Sequence, residues 1–149
     1  MKLGHSCGRN IVRVMLDTNV LISAAVLSSR YILPLLDELA ECHTIVLSTY
    51  VIDELKRVAL AKFPNKRAIV EQFLRELPFE LTYTPDTIFQ TEYLGIRDAK
   101  DLPILVTAIN EDVDVLVSGD NDFAPLDLER PEVLTPRAFI EKYGRKDII

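Results

Sequence analysis

The chain has 149 residues, enough for one domain with a sizeable core. Its hydrophobic fraction is 48% and its charged fraction 27%, as in ordinary globular proteins, and no apolar run approaches the ~20 residues needed to span a bilayer. A net charge of −6 argues against coating nucleic acid by charge alone. It leaves room for an enzyme that meets phosphates through metal ions and a local basic patch.

Residues 1–10 lack the apolar centre of a signal peptide and read as a loose tail, with His5 and Cys7 as tail residues rather than a metal pair. The two cysteines, Cys7 and Cys42, are too few for a disulfide framework and suggest a reducing compartment, so a cytoplasmic protein is expected. Ile11–Leu16 is a short apolar run with β-branched members, the pattern of a buried strand. Asp17-Thr18-Asn19 then opens a helical stretch over Val20–Ser28, with a break at Ser28-Ser29. Tyr31, Leu35, Leu36 and Leu39 give helical spacing through about Glu41, and Thr44–Leu47 is a second strand. Ser48 caps a helix whose apolar face carries Val51, Leu55, Val58 and Ala59.

Pro64 starts another helix, with Ile69, Phe73, Leu74 and Leu77 apolar, ending before Pro78. Phe79–Tyr83 follows as a strand and Pro85–Leu94 as a helix. Asp98 or Asp101 begins the next helix, where Leu102, Leu105, Val106 and Ile109 recur at i, i+3, i+4, i+7 and Pro103 sits in the first turn. Val113–Val117 is the clearest strand. One helical turn at Phe123–Leu128, a last strand at Val133-Leu134 and a final helix over Pro136–Tyr143 complete the series, leaving a frayed tail at 144–149. Strands alternating with helices predict a single domain over 11–143, a three-layer α/β/α sandwich with a mostly parallel central sheet. Ligands of such sheets bind at the carboxyl ends of the strands, the edge that Asp17 and Asp120 would reach.

The acidic residues stand out because they adjoin apolar elements. Asp17 ends the first strand, where an N-cap is its bland role; Thr18 and Asn19 could cap equally well, which leaves Asp17 available for other work. Glu54 lies three after Val51 and four before Val58, on their side of the helix, where an unpaired carboxylate is costly. It either snorkels at the edge of that face or has a cation. Asp53 belongs to the polar face. Asp101 adjoins an apolar stripe, while Asp98 reads as a cap or a partner of Arg97 or Lys100. Asp120 and Asp122, in Ser118-Gly119-Asp120-Asn121-Asp122-Phe123, follow the clearest strand, with Gly119 easing a sharp turn. An Asx-turn is the alternative. Carboxylates gathered in one place repel one another, and a divalent cation removes that conflict. All-oxygen ligands favour Mg²⁺ or Mn²⁺ over zinc, and one or two such ions can activate a water for phosphodiester hydrolysis. Both histidines lie outside this set, so acid–base chemistry by His is not expected.

Four motifs occur in order: Val14-Met15-Leu16-Asp17-Thr18-Asn19-Val20-Leu21, Ser48-Thr49-Tyr50-Val51-Ile52-Asp53-Glu54-Leu55, Arg97-Asp98-Ala99-Lys100-Asp101-Leu102-Pro103-Ile104-Leu105 and Leu116-Val117-Ser118-Gly119-Asp120-Asn121-Asp122-Phe123. Together they resemble the PIN domain, the metal-dependent ribonuclease fold of VapC-type toxins, over about Ile11 to Tyr143. The resemblance implies Asp17, Glu54, Asp101 and Asp120 as catalytic acids that hold Mg²⁺ or Mn²⁺. It implies Asp122 as a further ligand, and Asn19 and Ser118 as supporting polar positions. It also implies a homodimer, an RNA substrate and a small antitoxin that inserts a segment into the active-site groove. The alternative is a non-catalytic PIN-like module that binds RNA or a protein. A phosphatase of the haloacid-dehalogenase type would need a second Asp two residues after Asp17, where this chain has Asn19. Lys56, Arg57, Lys62, Lys66 and Arg67, with Arg30 and Arg97, are the cations available to RNA, though a solvated helix face is the plainer reading. Tyr50 and Phe123 flank acidic positions and could stack a base, with core packing the commoner role.

Overall fold

The computed structural model describes residues 11–85, 102–119 and 130–144. In chain order they form β1 (Arg13–Leu16), α1 (Thr18–Ala25), α2 (Leu33–Cys42), β2 (Thr44–Ser48), α3 (Thr49–Lys62), a 3₁₀ turn (Pro64–Lys66), α4 (Arg67–Glu76), β3 (Glu80–Thr82), α5 (Leu102–Asn110), β4 (Val115–Val117), β5 (Glu132–Leu134) and α6 (Pro136–Tyr143). The expected helix at Pro85–Leu94 and turn at Phe123–Leu128 lie outside the described residues.

The five strands form one sheet in the order β3-β2-β1-β4-β5, with every neighbouring pair parallel. Helices cover it to give the α/β/α architecture. The expected mostly parallel sheet is therefore wholly parallel among the described residues. Val14–Leu16, Ile45–Leu47 and Val115–Val117 are buried throughout, because a central parallel strand is covered on both faces. The edge strands differ: β3 leaves Leu81 exposed, and β5 is half-buried along its length. Helices α1, α3 and α4 pack against one another, α2 lies against β2, and α6 lies against β5.

The helix starts follow local chemistry. Asp17, Ser48 and Thr135 each take extended backbone after a strand, and each side chain accepts the N–H three residues on, from Val20, Val51 and Ala138. Pro136 then occupies the first turn of α6, where its missing N–H has no partner to lose. Past the end of α1, Ser28 adopts a left-handed backbone with φ 48°. The 64–77 segment departs from expectation. Pro64 opens a 3₁₀ turn before α4 begins at Arg67, and the buried position of α4 is Val70, while Ile69 is exposed. Cys42 is buried at the end of α2, and Cys7, the other cysteine, lies outside the described residues. Among the described residues no helix is long and apolar enough to cross a membrane.

Candidate metal centre

The strand order places the site. From β1 the chain builds outward through β2 and β3, then crosses back to lay β4 and β5 on the other side of β1. The winding direction reverses between β1 and β4, and in parallel sheets such a switch point, at the carboxyl ends of the strands, is where ligands bind. Asp17 and Ser118 stand there. Leu16 pairs with Val117, so the next residues on each strand are neighbours across the switch point. The carboxyl edge carries polar side chains across its whole width: Thr82, Ser48, Asp17, Ser118 and Thr135 each end a strand or follow one.

Asp17 is buried, and both its carboxylate oxygens are engaged. Oδ1 accepts the Val20 N–H at 3.0 Å, and Oδ2 accepts the Ser118 hydroxyl. Its backbone N–H donates to the Val117 carbonyl at 3.2 Å, which extends the β1–β4 pairing by one residue. The reading that Thr18 or Asn19 could cap the helix and release Asp17 is thus corrected: Asp17 is itself the cap. Ser118 is buried, and its N–H donates to the Leu134 carbonyl at 2.9 Å, so its hydroxyl is presented by a strand fixed on both sides. Asn19 is exposed on the first turn of α1, and the Thr18 hydroxyl is buried without a hydrogen bond. At Gly119 an added Cβ would meet nothing within 4 Å among the described residues, so no steric need for glycine shows there.

Glu54 projects from the second turn of α3, which packs on α1. Its side chain is 16% exposed, and Oε2 accepts the Tyr50 hydroxyl at 3.2 Å and Arg57 Nη2 at 3.4 Å. The choice between snorkelling and a cation resolves into a mixture, a half-buried carboxylate held by a phenol and an arginine. Tyr50 packs against the core and turns its hydroxyl to Glu54. Asp53 is exposed, as its place on the polar face requires. Asp98, Asp101, Asp120 and Asp122 lie outside the described residues. Asp101 immediately precedes α5, and Asp120 comes two residues after Ser118.

Among the described residues the candidate donors are Asp17, which caps α1, and Glu54, in the second turn of α3, and no group of three or more His, Cys, Asp or Glu that could hold a metal is found there. Hard oxygen donors of this kind suit Mg²⁺ or Mn²⁺. The basic side chains Lys56, Arg57, Lys62, Lys66 and Arg67 are all exposed. Some of them line a groove of about 360 Å³ between α3 and α4 with Ala59, Leu60, Val70 and Glu71. Arg67 pairs with Glu71 at 3.3 Å, as on a solvated helix face.

One buried acid escaped the sequence reading. Glu38 is fully buried on α2, and its Oε1 stands 3.7 Å from Nε2 of His43. The signal was present, since Glu38 falls between Leu35 and Leu39 on the buried stripe of that helix. His43 also accepts the Val12 N–H at Nδ1, 3.1 Å, and its ring meets Phe139 and Tyr143 edge-on. Burial lowers its pKa, opposed by a hydrogen bond to the Tyr143 backbone. A second ring proton would also displace the Val12 N–H from Nδ1. This group precedes β2 and lies at the opposite edge of the sheet from Asp17.

Comparison with known proteins agrees with this geometry. The PIN domain family model matches residues 13–122. Among solved structures, a chain in the crystal structure of VapBC2 from Rickettsia felis bound to a DNA fragment from their promoter is similar in fold. The TM-score is 0.62 and the identity 24%, over 82% of this chain and 96% of that one. No match was found among curated proteins.

Proposed function

Since the chain belongs to the PIN domain family, we propose that it is a divalent-metal-dependent endoribonuclease, the toxin of a toxin–antitoxin pair. The observation that carries this reading is the buried Asp17, fixed by Ser118 at the switch point of the sheet. In this reading Asp17, Glu54, Asp101 and Asp120 hold Mg²⁺ or Mn²⁺, Asp122 adds a ligand, and Asn19 and Ser118 support them. When bound, the metal supplies Lewis acidity toward a phosphate oxygen and lowers the pKa of a water.

The protein's own residues do the rest. Ser118 and the Val20 N–H hold both Asp17 oxygens, so the carboxylate is set in place before any ligand arrives, and less ordering remains to be done on binding. Tyr50 and Arg57 hold Glu54 through one oxygen, Oε2. The buried strands under Asp17 keep one side of the site dry, which strengthens its electrostatics. Single-stranded or looped RNA is the natural substrate, because an unpaired backbone can enter such a site.

The partners follow from the same reading: a small antitoxin that fills the site, a second copy of the chain as a homodimer, and a cytoplasmic setting. The VapBC2 structure, a complex bound to promoter DNA, supports the toxin–antitoxin part. The deciding experiment is RNA cleavage in Mg²⁺ or Mn²⁺ with Asp17→Asn as the control. Cleavage by the wild type and none by the variant is expected. A wild type inert across RNAs and metals would instead mark a non-catalytic module.

A further inference from the structure

Glu54 has two oxygens, and the fold treats them unequally. Tyr50 and Arg57 both donate to Oε2, at 3.2 and 3.4 Å, and among the described residues Oε1 accepts nothing. The two donors are not equivalent. The Arg57 side chain is 71% exposed, so its pairing is screened and readily exchanged. Tyr50 is anchored at both ends. Its ring packs against the core. Its N–H donates to the Thr84 hydroxyl at 3.3 Å, while the Thr84 N–H donates to the Thr49 hydroxyl at 3.1 Å. This reciprocal pair ties the first turn of α3 to the segment leaving β3. The phenol thus reaches Glu54 from a backbone that cannot drift. It does so one helical turn away, at i, i+4, where side chains of one face meet.

We propose that Tyr50 is the positioning residue of the metal centre: its hydroxyl holds Glu54 through Oε2 and so assigns Oε1 to the cation. This rests on the metal-binding reading above. A carboxylate held by one oxygen binds a cation through the other without first giving up rotational freedom, and outer partners of this kind typically change metal affinity 10–100-fold, roughly, when removed. Arg57 adds a spare positive charge that can leave Glu54 when the cation arrives.

The phenol also makes the arrangement visible. The chain has five tyrosines and no tryptophan, so tyrosine is its only efficient donor of excitation to a bound lanthanide. Terbium(III), a hard oxygen-seeking ion, is the probe. The full-length wild type should show tyrosine-sensitised terbium emission that Mn²⁺ competes away. Tyr50→Phe should lose most of that emission and raise the half-saturating Mn²⁺ concentration, measured by calorimetry, by about tenfold. The metal-free melting temperature should stay within a few degrees, because the ring remains. In a Glu54→Gln background, Tyr50→Phe should add no further loss of Mn²⁺ affinity, since the two residues act as a unit. Unchanged Mn²⁺ affinity and undiminished emission in Tyr50→Phe would overturn the role of Tyr50 alone. A wild type that binds neither ion would remove the metal reading, and this proposal with it.

Discussion

At the scale of single residues, Asp17 is an N-cap that stabilises α1 and, on the proposed reading, also a metal ligand held by Ser118. These roles separate by substitution. Asp17→Asn keeps a capping oxygen, so the melting temperature should change little, while RNA cleavage falls at least about a hundredfold. Asp17→Ala loses the cap as well and should cost a further ~1 kcal/mol in stability, read by denaturant titration. Ser118→Ala leaves Asp17 Oδ2 without its buried donor. It should lower stability by roughly 1–3 kcal/mol and activity by about 10–100-fold, since the carboxylate is then free to turn. In the sequence, cap and ligand read as competing roles for Asp17. Ser118, 101 residues away, was named only through the family resemblance, and nothing local told of its bond to Oδ2. Glu54 was legible as an acid on an apolar side, but its Tyr50 partner was not. A tyrosine four residues earlier on a helix is as often packing as hydrogen bonding.

At the scale of elements, the strand–cap–helix units were the most legible parts, because Asp17, Ser48 and Pro136 announce their helices by local chemistry alone. The α4 stripe was misjudged. Pro64 spends its first residues on a 3₁₀ turn, which rotates the following helix and brings Val70 rather than Ile69 inward. The left-handed Ser28 after α1 offers a test of backbone strain. Ser28→Gly should stabilise the protein by about 0.5–1 kcal/mol and raise its melting temperature by a few degrees. The contact between α2, β2 and α6 makes a second test. Burial holds the His43 pKa below its ordinary value of 6.5. The unfolded chain therefore takes up a proton near pH 6.5 that the folded one resists. Stability from this group is complete above that pH and declines as pH falls below it, by up to about 1.4 kcal/mol per pH unit. Melting temperatures at pH 7.5 and 5.5 should differ for the wild type, and His43→Gln should narrow that difference.

At the scale of the molecule, alternating strands and helices made a parallel sheet legible, since parallel neighbours need crossover helices. The order β3-β2-β1-β4-β5 was not legible from periodicity. Each central strand is apolar on both faces, so no residue pattern says which strand lies beside which. If the centre holds Mn²⁺, chelation should abolish cleavage. Mn²⁺ at a hundred times its dissociation constant should raise the melting temperature by roughly 5–10 °C, as binding to the folded state alone requires. The sheet order also sets a timetable. β1 and its neighbour β2 are made early, but its other neighbour, β4, begins at Val115. At ordinary rates of synthesis, the ~100 residues between Asp17 and Ser118 take roughly 5–20 s to emerge. Through that interval a nascent chain carries Asp17 without the strand that fixes it. On the metal-nuclease reading, the site of a chain still emerging from the ribosome stays incomplete until β4 joins β1 and brings Ser118 to Asp17.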